Sequence, residues 1–346
     1  MFKFVDMIAS DFSFIIPVYN RPEEVRELLE SFCELETPKT FEIVIVEDGS
    51  SLDARLIVEH FQTQLNISYY YKQNTGPGDS RNYGMQRAKG HYFVILDSDC
   101  MLPKHYLNEV ITFLDKNYVD CYGGPDTAKY NFSELQKAIN FSMTSLLTTG
   151  GIRGGDKEIE GYQPRSFNMG ISKEAFLASG GFGNIHPGED PDLSIRLRAI
   201  GYKLRLIPKA FVFHKRRLSF ESFYVQVYKF GQVRPILNKW YPETKKIAYW
   251  FPTFFSLGLL ISLLFLTVDF IWGLYFYIGY FFVIFLAAIK STSDIIASIL
   301  CIPAILIQFF GYGYGFLKAT LKLKLSRKSA LSLFPKLFFK QANEPI

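Results

Sequence analysis

Short apolar runs alternate with amphipathic stretches over the first hundred residues, a pattern that predicts strands and helices in turn. Residues 12–19 are nearly all apolar, as is typical of a parallel strand covered on both faces. From Pro22 the apolar positions follow helical spacing, and the proline and the acids after it suit a first helical turn. Further strands are predicted at 41–46, 67–72 and 91–96, and further helices at 52–61 and from the Gly76-Pro77-Gly78 turn through Ala88. The alternation predicts a doubly wound, mostly parallel sheet with right-handed crossovers.

Polar residues follow each predicted strand. Asn20, Asp48, Asn74 and Asp97 all come directly or shortly after an apolar run. In open α/β sheets, ligands bind beyond the carboxyl ends of the strands. We therefore expect these side chains to lie along one edge of the sheet and to form its binding site.

The pattern changes after residue 246, where apolar residues dominate. Residues 247–268 and 271–289 are each long enough to cross about 30 Å of hydrocarbon as helices. A third apolar segment, 295–317, is interrupted by Pro303 and three glycines, so we expect it to break or to be re-entrant. The aromatic and basic stretch 218–240 predicts an amphipathic helix on the membrane surface, or alternatively an ordinary core helix.

Composition narrows the possible partners. The chain has 346 residues, a 49% hydrophobic fraction and a formal net charge of +5. This modest charge, much of it near the apolar segments, favours anionic lipid rather than nucleic acid as a partner. The four cysteines have no metal-binding spacing and fit reduced cytoplasmic thiols.

Asp97 and Asp99 lie two residues apart after a predicted strand, so both carboxylates can point to one side. Hard oxygen ligands of this kind suit Mg²⁺ or Mn²⁺ held jointly with substrate phosphates. A polar turn that caps the next helix would explain the same residues without any metal. The position at the end of a buried strand favours the metal site.

Seven motifs occur in a fixed order and together resemble the inverting family 2 glycosyltransferases of GT-A fold. They are Ile16-Pro-Val-Tyr-Asn20, Val46-Glu-Asp-Gly-Ser50, Asn74-Thr-Gly-Pro-Gly-Asp-Ser-Arg-Asn82, Leu96-Asp-Ser-Asp-Cys100, Phe167-Asn-Met-Gly170, Gly180-Gly-Phe182 and Gly188-Glu-Asp-Pro-Asp-Leu193. The resemblance runs from about Phe12 to His214. It implies a Rossmann-like GT-A catalytic domain that binds a nucleotide-sugar donor.

The resemblance also implies which residues bind the donor. Pro17, Tyr19 and Asn20 would border the base and ribose, and Asp48 would accept a hydrogen bond from the base, usually uracil in this family. Arg81 matches the basic residue near the diphosphate, for which a guanidinium fork is well suited. The alternatives are a tight turn at Asp48 and a solvated helix residue at Arg81.

For the metal, the resemblance implies that Asp97 and Asp99 hold Mg²⁺ or Mn²⁺, with Asp99 as the direct ligand. His214 aligns with a histidine at the metal or diphosphate site in some relatives. A lone histidine can equally be structural. The metal would stabilise the negative charge that grows on the leaving diphosphate.

An inverting displacement needs one carboxylate to take the acceptor's proton, and the resemblance implies that this general base is Asp190. Asp192 competes for this role, and plain capping of the following helix is the alternative. Asn168, Gly181 and Glu189 are expected to shape the sugar and acceptor pocket. The stretch from Gly123 to Arg165, with glycine pairs at 150–151 and 154–155, is expected to form a mobile acceptor lid.

Basic residues near the apolar segments place the catalytic domain in the cytoplasm, at the inner membrane. They are Lys209, Lys215, Arg216, Arg217, Lys245, Lys246 and Lys290. Three full spans would export a basic tail, so two to four passes remain open. The predicted domains are a catalytic domain at 1–217, an interfacial segment at 218–246, transmembrane helices at 247–317 and a basic tail at 318–346.

The sequence thus predicts a membrane-anchored, metal-dependent inverting glycosyltransferase with a UDP-sugar as the favoured donor. Its acceptor would be a lipid-linked or membrane-proximal glycan in cell-surface polysaccharide assembly. The chain lacks the Gln-x-x-Arg-Trp motif of processive synthases, which favours the addition of one sugar per acceptor. A non-catalytic nucleotide-sugar-binding scaffold subunit is the main alternative. A phosphotransferase that uses an Asp-x-Asp nucleophile is a further alternative. It would give no role to Asp48 or Asp190.

Overall fold

A computed structural model gives the fold and describes residues 8, 11–37, 40–127, 132–149, 162–215, 219–269 and 271–339. Within these ranges the chain forms two compact units, one from residues 1–129, 155–214 and 338–346 and the other from 130–154 and 215–337. Residues 130–154 therefore group with the C-terminal helices, although the sequence places them in the catalytic domain. Of the stretch 123–165, where we predicted a lid, residues 128–131 and 150–161 lie outside the described residues, and Glu134–Thr144 forms a helix. The lid stays a prediction.

The first unit contains a seven-stranded sheet with helices on both faces and a small three-stranded sheet. Its elements are β1 (Phe12–Val18), α1 (Pro22–Cys33), β2 (Glu42–Asp48), α2 (Arg55–Phe61), β3 (Ile67–Lys72), α3 (Pro77–Arg87), β4 (Tyr92–Leu96), β5 (Cys100–Met101), α4 (Tyr106–Lys116), β6 (Cys121–Gly123), β7 (Asp126–Thr127), β8 (Asn168–Ser172), α7 (Lys173–Ser179), α8 (Glu189–Ala199), β9 (Leu204–Leu206) and β10 (Val212–His214). The large sheet has the order β3-β2-β1-β4-β8-β6-β9, and the small sheet has the order β5-β10-β7.

The predicted alternation of strands and helices is confirmed. Strands β1 to β4 are parallel, and β8 then runs antiparallel to β4 and β6, so the sheet is mixed but mostly parallel. Alternate residues of β1 enter different cores, since Phe14 and Ile16 pack in one apolar cluster and Ile15 in another. Burial on both faces explains why the strand reads as a continuous apolar run.

The second helix begins later than the sequence predicts, at Arg55 instead of Leu52. Side chains from neighbouring strand ends bind the backbone here. Asn20 Oδ1 accepts hydrogen bonds from the backbone N–H groups of Ser51 and Leu52, and Glu47 Oε2 accepts one from Ala54. These bonds hold the segment as a loop beside the strand ends, where local sequence alone favours helix.

The second unit is helical in the described residues. Its α-helices are α5 (Glu134–Thr144), α6 (Leu146–Thr149), α9 (Phe220–Trp240), α10 (Phe251–Phe265), α11 (Trp272–Thr292), α12 (Ile295–Leu325) and α13 (Ala330–Leu333). Short 3₁₀ turns at Ile247–Trp250 and Leu266–Val268 extend α10 at both ends. Helix α9 buries Phe223 and Val227 against residues of α5 and α12, and its predicted place on a membrane surface stays a prediction.

Helix α12 continues unbroken through Pro303 and the three glycines that we expected to interrupt it. The glycines instead allow close approach of α9. A Cβ atom on Gly315 would lie 2.4 Å from the carbonyl oxygen of Tyr228, and one on Gly231 would lie 2.2 Å from that of Tyr312. Small residues at a helix contact are a means of bringing two backbones together.

Among the described residues, three helices are long and apolar enough to cross a membrane. They cover Ile247–Val268, Trp272–Thr292 and Ile295–Leu325. The first two agree with the predicted spans, and the third extends eight residues past its predicted end. Length and composition support membrane association of the second unit.

Candidate active site

The small sheet brings His214 back to the paired aspartates. Strand β10 pairs with β5, which places His214 opposite Cys100, and with β7, which places Val212 opposite Asp126. As a result His214 Nε2 lies 3.2 Å from Asp99 Oδ1, and His214 Nδ1 lies 3.6 Å from Asp126 Oδ2. The imidazole stacks on Phe167 with 4.8 Å between ring centroids. The predicted neighbourhood of Asp99 and His214 is therefore present.

Asp99 is surrounded by positive charge. Burial raises the pKa of its carboxyl, but His214 and Arg21, which donates a hydrogen bond to Asp99 Oδ2, outweigh burial and hold the pKa well below its usual range. Asp99 is thus an anion at neutral pH. A carboxylate oxygen beside an imidazole nitrogen is a donor pair that suits Mn²⁺, with Arg21 as the group that a metal would displace.

Cys100 also lies in this cluster, with its sulfur within 4.8 Å of the Asp99 and His214 donor atoms. Burial raises the pKa of its thiol well above the usual value, and the S–H faces the carbonyl oxygen of Phe167 at 3.5 Å. A thiol that stays protonated is a poor ligand for a hard cation. The donor set of this cluster is therefore the carboxylate and the imidazole.

Arg81 connects the two acidic motifs. Its Nη2 donates to Asp97 Oδ1 at 2.7 Å, and its Nη1 donates to Glu189 Oε1 at 3.1 Å. The guanidinium is only 4% exposed, and it packs over the ring of Phe182. The predicted contact of Arg81 with the diphosphate stays a prediction. In the structure its side chain fixes the loop after β4 relative to the first turn of α8.

Glu189 and Asp190 begin α8, yet their environments differ. Burial raises the pKa of Glu189, but His186, whose Nδ1 lies 2.9 Å from Glu189 Oε1, and Arg81 outweigh burial and lower the pKa to about 2. Burial also raises the pKa of Asp190, and there it dominates, although Arg165 Nη1 lies 3.6 Å from Asp190 Oδ2. Asp190 is thus the better proton acceptor of the two.

Asp192, the competitor for the base, is engaged elsewhere. Its Oδ2 accepts hydrogen bonds from Arg196 Nε at 3.0 Å and Arg196 Nη2 at 2.8 Å. Arg196 also donates to the carbonyl oxygens of Ser179 and Gly181. This fork holds the turn before α8 and engages Asp192, whereas the arginine beside Asp190, Arg165, lies 3.6 Å away.

At the ends of β2 and β3, Asp48 organises the loop before α3. Its carboxylate accepts hydrogen bonds from the backbone N–H groups of Thr75 and Gly76 at 3.0 Å and from Lys72 Nζ at 2.5 Å. Lys72 pairs with Asp48 across the parallel strands. Asp48 lies at the predicted place, beyond the carboxyl ends of the strands, and its contact with a base stays a prediction.

The residues expected around the base and ribose border the same edge. Tyr19 is 53% exposed, and Pro17 lies half-buried in β1. Asn20 adopts a positive φ of 54°, in which its amide oxygen reaches the loop before α2. The strand end therefore presents an exposed aromatic ring beside a fixed turn, and the contact of these residues with a base stays a prediction.

Asn168 and Gly181, both expected in the sugar pocket, make structural contacts. Asn168 is fully buried, where it accepts a hydrogen bond from Tyr106 at 2.6 Å and donates one to the carbonyl oxygen of Ala210 at 2.8 Å. Gly181 has a φ of +74°, and a Cβ atom there would lie 2.3 Å from Asn82 Oδ1. Both residues hold the loops around the site, and their contact with a sugar stays a prediction.

A C-terminal segment completes this region of the first unit. Phe338 forms an antiparallel bridge with Ile185, and the Phe339 N–H donates to the carbonyl oxygen of Asn184 at 3.0 Å. The Phe339 ring covers Gly76, where a Cβ atom would lie 2.3 Å from it, and stands 5.8 Å from the His186 ring. An aromatic ring from the far end of the chain thus lies between the loop before α3 and the loop before α8.

Besides Arg21, which donates a hydrogen bond to Asp99, sequence reasoning missed five residues at this site. The register of β2 and β3 could have indicated Lys72, and the motif beginning at Phe167 could have drawn attention to Arg165 just before it. Asp126, His186 and Phe339 carry no local signal, since only tertiary pairing brings them to the site. The omitted residues are Lys72, Asp126, Arg165, His186 and Phe339.

Comparison with known proteins supports the resemblance. The family model Glycosyl transferase family 2 matches residues 13–178. Poly(ribitol-phosphate) beta-N-acetylglucosaminyltransferase TarS of Staphylococcus aureus is 36% identical over 112 residues, which cover 32% of this chain and 20% of that protein. Minor teichoic acid biosynthesis protein GgaB of Bacillus subtilis is 32% identical over 148 residues, 40% of this chain and 16% of that protein. The chain thus spans a fifth or less of the length of these relatives.

One solved structure resembles the fold over most of its length. Mannosyltransferase PcManGT from Pyrobaculum calidifontis, in complex with GDP-Man and Mn²⁺, covers 92% of this chain and 88% of its own, with a TM-score of 0.55 and 16% identity. At this identity the match shows a shared fold. Residues 13–178 are therefore similar to glycosyltransferase family 2, and the fold is of the GT-A type.

Proposed function

We propose that the protein is a membrane-associated inverting glycosyltransferase. It would transfer a sugar from a nucleotide-diphosphate sugar, with a UDP-sugar as the first candidate, to a lipid-linked or membrane-proximal glycan in cell-surface polysaccharide assembly. One observation carries the proposal. Arg81 joins the loop that bears Asp97 and Asp99 to the helix turn that bears Asp190, so the predicted leaving-group side and acceptor side are held together.

In this proposal Asp190 accepts the proton of the attacking hydroxyl as that oxygen bonds to the anomeric carbon and the bond to the diphosphate breaks. Its raised pKa makes its carboxylate a stronger base than an ordinary aspartate. Arg165 stands on one side of Asp190 and holds the carboxylate by charge. Glu189 stays ionised and, through Arg81 and His186, positions the turn rather than taking a proton.

A divalent cation would be held by Asp97, Asp99 and His214. When bound, it would neutralise the negative charge that develops on the departing diphosphate. The Asp99–His214 donor pair supports this site, and so does the Mn²⁺ bound to the mannosyltransferase of similar fold. Whether Mg²⁺ or Mn²⁺ is used depends on which cation displaces Arg21 from Asp99.

Membrane association suggests where the acceptor is. The apolar helices α10 to α12 support attachment at the inner membrane, and the basic residues beside them support a catalytic unit facing the cytoplasm, where nucleotide sugars are made. A water-soluble acceptor would need no such attachment. The names of the teichoic acid relatives agree with an acceptor in cell-surface polymer assembly.

The proposal is tested by nucleoside-diphosphate release from a panel of UDP-, GDP- and other nucleotide sugars. Purified protein in detergent would receive native lipid extract and Mn²⁺ or Mg²⁺, with EDTA as the control. We expect release from one donor, dependent on both the lipid extract and the metal. Donor binding without release across the whole panel would instead favour the scaffold reading, in which the site binds nucleotide sugars and catalyses nothing.

The pH dependence of sugar transfer should follow the protonation of Asp190. Because the base must be deprotonated, kcat/KM should fall as the pH is lowered through the pKa of Asp190, which lies above the ordinary aspartate value of about 3.9. Arg165 lowers that pKa, so Arg165→Gln should move the acid limb to higher pH. Profiles of kcat/KM against pH for both proteins measure the shift. An acid limb that Arg165→Gln leaves in place would show that another group controls it.

A further inference from the structure

The last described residues belong to the same compact unit as the catalytic sheet. Phe338 pairs with Ile185, and Phe339 bonds to Asn184 within the first unit, while residues 215–337 form most of the second. A mixed sheet with polar loops cannot straddle a bilayer, because its backbone groups would lie unpaired in hydrocarbon. The chain therefore leaves the first unit at residue 215 and returns at residue 338 on one side of the membrane. The number of crossings in between is even.

Helices α10 and α11 form an antiparallel hairpin. Tyr277 Oη donates to the carbonyl oxygen of Phe255 at 3.0 Å, and nearer the tip a Cβ atom on Gly273 would lie 2.6 Å from Ser262 Oγ. The two helices are joined only by residues 269–271. Paired along their length in this way, they enter the membrane together and contribute either two crossings or none.

Helix α12 is a single continuous helix and could add only one crossing. One more crossing would make the total odd, whether the hairpin contributes two crossings or none. In the described part of residues 215–338, α9 is not apolar enough to cross, and only the hairpin and α12 are candidates. An even total therefore excludes a crossing by α12, although its length and hydropathy would allow one.

The contacts of α12 agree with this conclusion. Phe309 of α12 packs against Phe255 of α10, with 4.8 Å between the ring centroids. Phe316, further along α12, packs at 4.9 Å against Trp250, which precedes α10. Along this stretch α12 therefore approaches the open end of the hairpin. At its start, Asp294 pairs with Lys137 of α5 at 3.1 Å. Helix α5 belongs to a segment, 130–154, that joins the first unit at both of its ends.

Burial explains why α12 is so apolar without spanning. In its most apolar window 39% of the residues are buried inside the protein, compared with 17% for each of the other two candidate spans. Helices α5, α9, α10 and α11 pack against it, and its buried apolar side chains, such as Cys301, Ile305 and Phe309, form the core of the second unit. Ile295, Ile296 and Ile299 at its start stay exposed. The hairpin instead exposes a band of large apolar residues, among them Phe254, Leu264, Trp272, Phe276 and Phe282.

We infer that the α10–α11 hairpin is the element that inserts into the membrane, and that α12 packs across its open end without crossing. The basic residues of the tail then lie on the same side as Lys245 and Lys290, which removes the conflict with the positive-inside rule. This topology does not depend on the proposed sugar transfer. It is tested by finding on which side of the membrane Ser291 and Ser332 lie.

Single cysteines placed in a Cys33→Ser background test the inference in bacterial spheroplasts, since the other three native cysteines are buried. Thr63→Cys reports the first unit, Ser291→Cys the junction of α11 and α12, and Ser332→Cys the segment after α12. All three positions are exposed. A membrane-impermeant maleimide is added to intact and to lysed spheroplasts. A membrane protein with one cysteine known to face the outside serves as the positive control for labelling of intact spheroplasts.

We expect Ser291→Cys and Ser332→Cys to behave as Thr63→Cys does, protected in intact spheroplasts and labelled after lysis. Labelling of Ser332→Cys in intact spheroplasts, with Thr63→Cys protected, would mean that α12 crosses and would overturn the inference. Should a cysteine variant misfold, a fluorescent protein fused after Ile346 gives a second reading. Fluorescence of the fusion supports a cytoplasmic position for Ile346. A full-length fusion that does not fluoresce, in cells where labelling places Thr63 in the cytoplasm, contradicts the inference.

Discussion

Replacing Asp190 with Asn should lower kcat/KM for sugar transfer by about 10²–10⁴-fold, the range that general base catalysis supplies. The amide has the shape of the carboxylate but cannot accept the acceptor's proton. Donor binding should persist, because the proposed donor contacts at Asp48 and Asp99 are unchanged. Nucleoside-diphosphate release and titration of the donor, measured on the same preparation, separate these two effects.

The stability of this variant provides the control. Burial raises the pKa of Asp190, so the folded protein binds the proton more readily than the unfolded chain, and the ionised carboxylate destabilises the fold at neutral pH. Asp190→Asn removes that charge and should leave the melting temperature unchanged or raise it. Lost activity together with a lowered melting temperature would point to misfolding and count against a role as base. Retained activity would move the role to another carboxylate.

Arg81→Met should produce the largest loss of stability among changes in the charged network, about 3–5 kcal/mol in the free energy of unfolding. The guanidinium is 4% exposed and holds two carboxylates, one of which, Glu189, is itself 5% exposed. Without Arg81, the buried Glu189 and the partly exposed Asp97 lose their shared partner. Thermal unfolding in detergent should show a melting temperature lower by roughly 10 °C.

Two further variants test the cause. Arg26→Met removes an arginine that pairs with Glu23 on the surface, and it should cost less than about 1 kcal/mol. Adding Glu189→Gln to Arg81→Met removes one stranded charge, so part of the lost stability should return as a coupling between the two positions. Equal losses for Arg81→Met and Arg26→Met, or no recovery in the double variant, would show that Arg81 does not stabilise these carboxylates.

The sequence predicts the sheet well because its signals are local. Strand β1 is apolar on both faces, and the polar residues at the strand ends follow directly in the chain, so their shared edge can be inferred from the order of elements alone. Asp97, Asp99 and Glu189 could be found in the same way, through motifs of a few residues.

Which of these residues pair with which could not be predicted, because the pairing arises from contacts between distant segments. Nothing near Arg81 indicates that it bridges Asp97 and Glu189, and both the partner of Asp192 and the burial of Asn168 depend on the tertiary packing. In α12, proline and glycine suggested a break by their intrinsic preferences. Packing against α9 overrides those preferences, because the glycines let the helices approach.

The packing of α5 has a consequence for how the chain is made. Its apolar residues, Ala138 and Phe141 among them, are covered by residues such as Cys301, which follows Ala138 by 163 positions. At the usual rate of synthesis, about 5–20 residues per second, that partner is translated roughly 10–30 s later. Throughout this interval α5 has no apolar partner on α12, so a chaperone or the membrane surface must shield it. Completion of the second unit therefore waits until α12 has been translated.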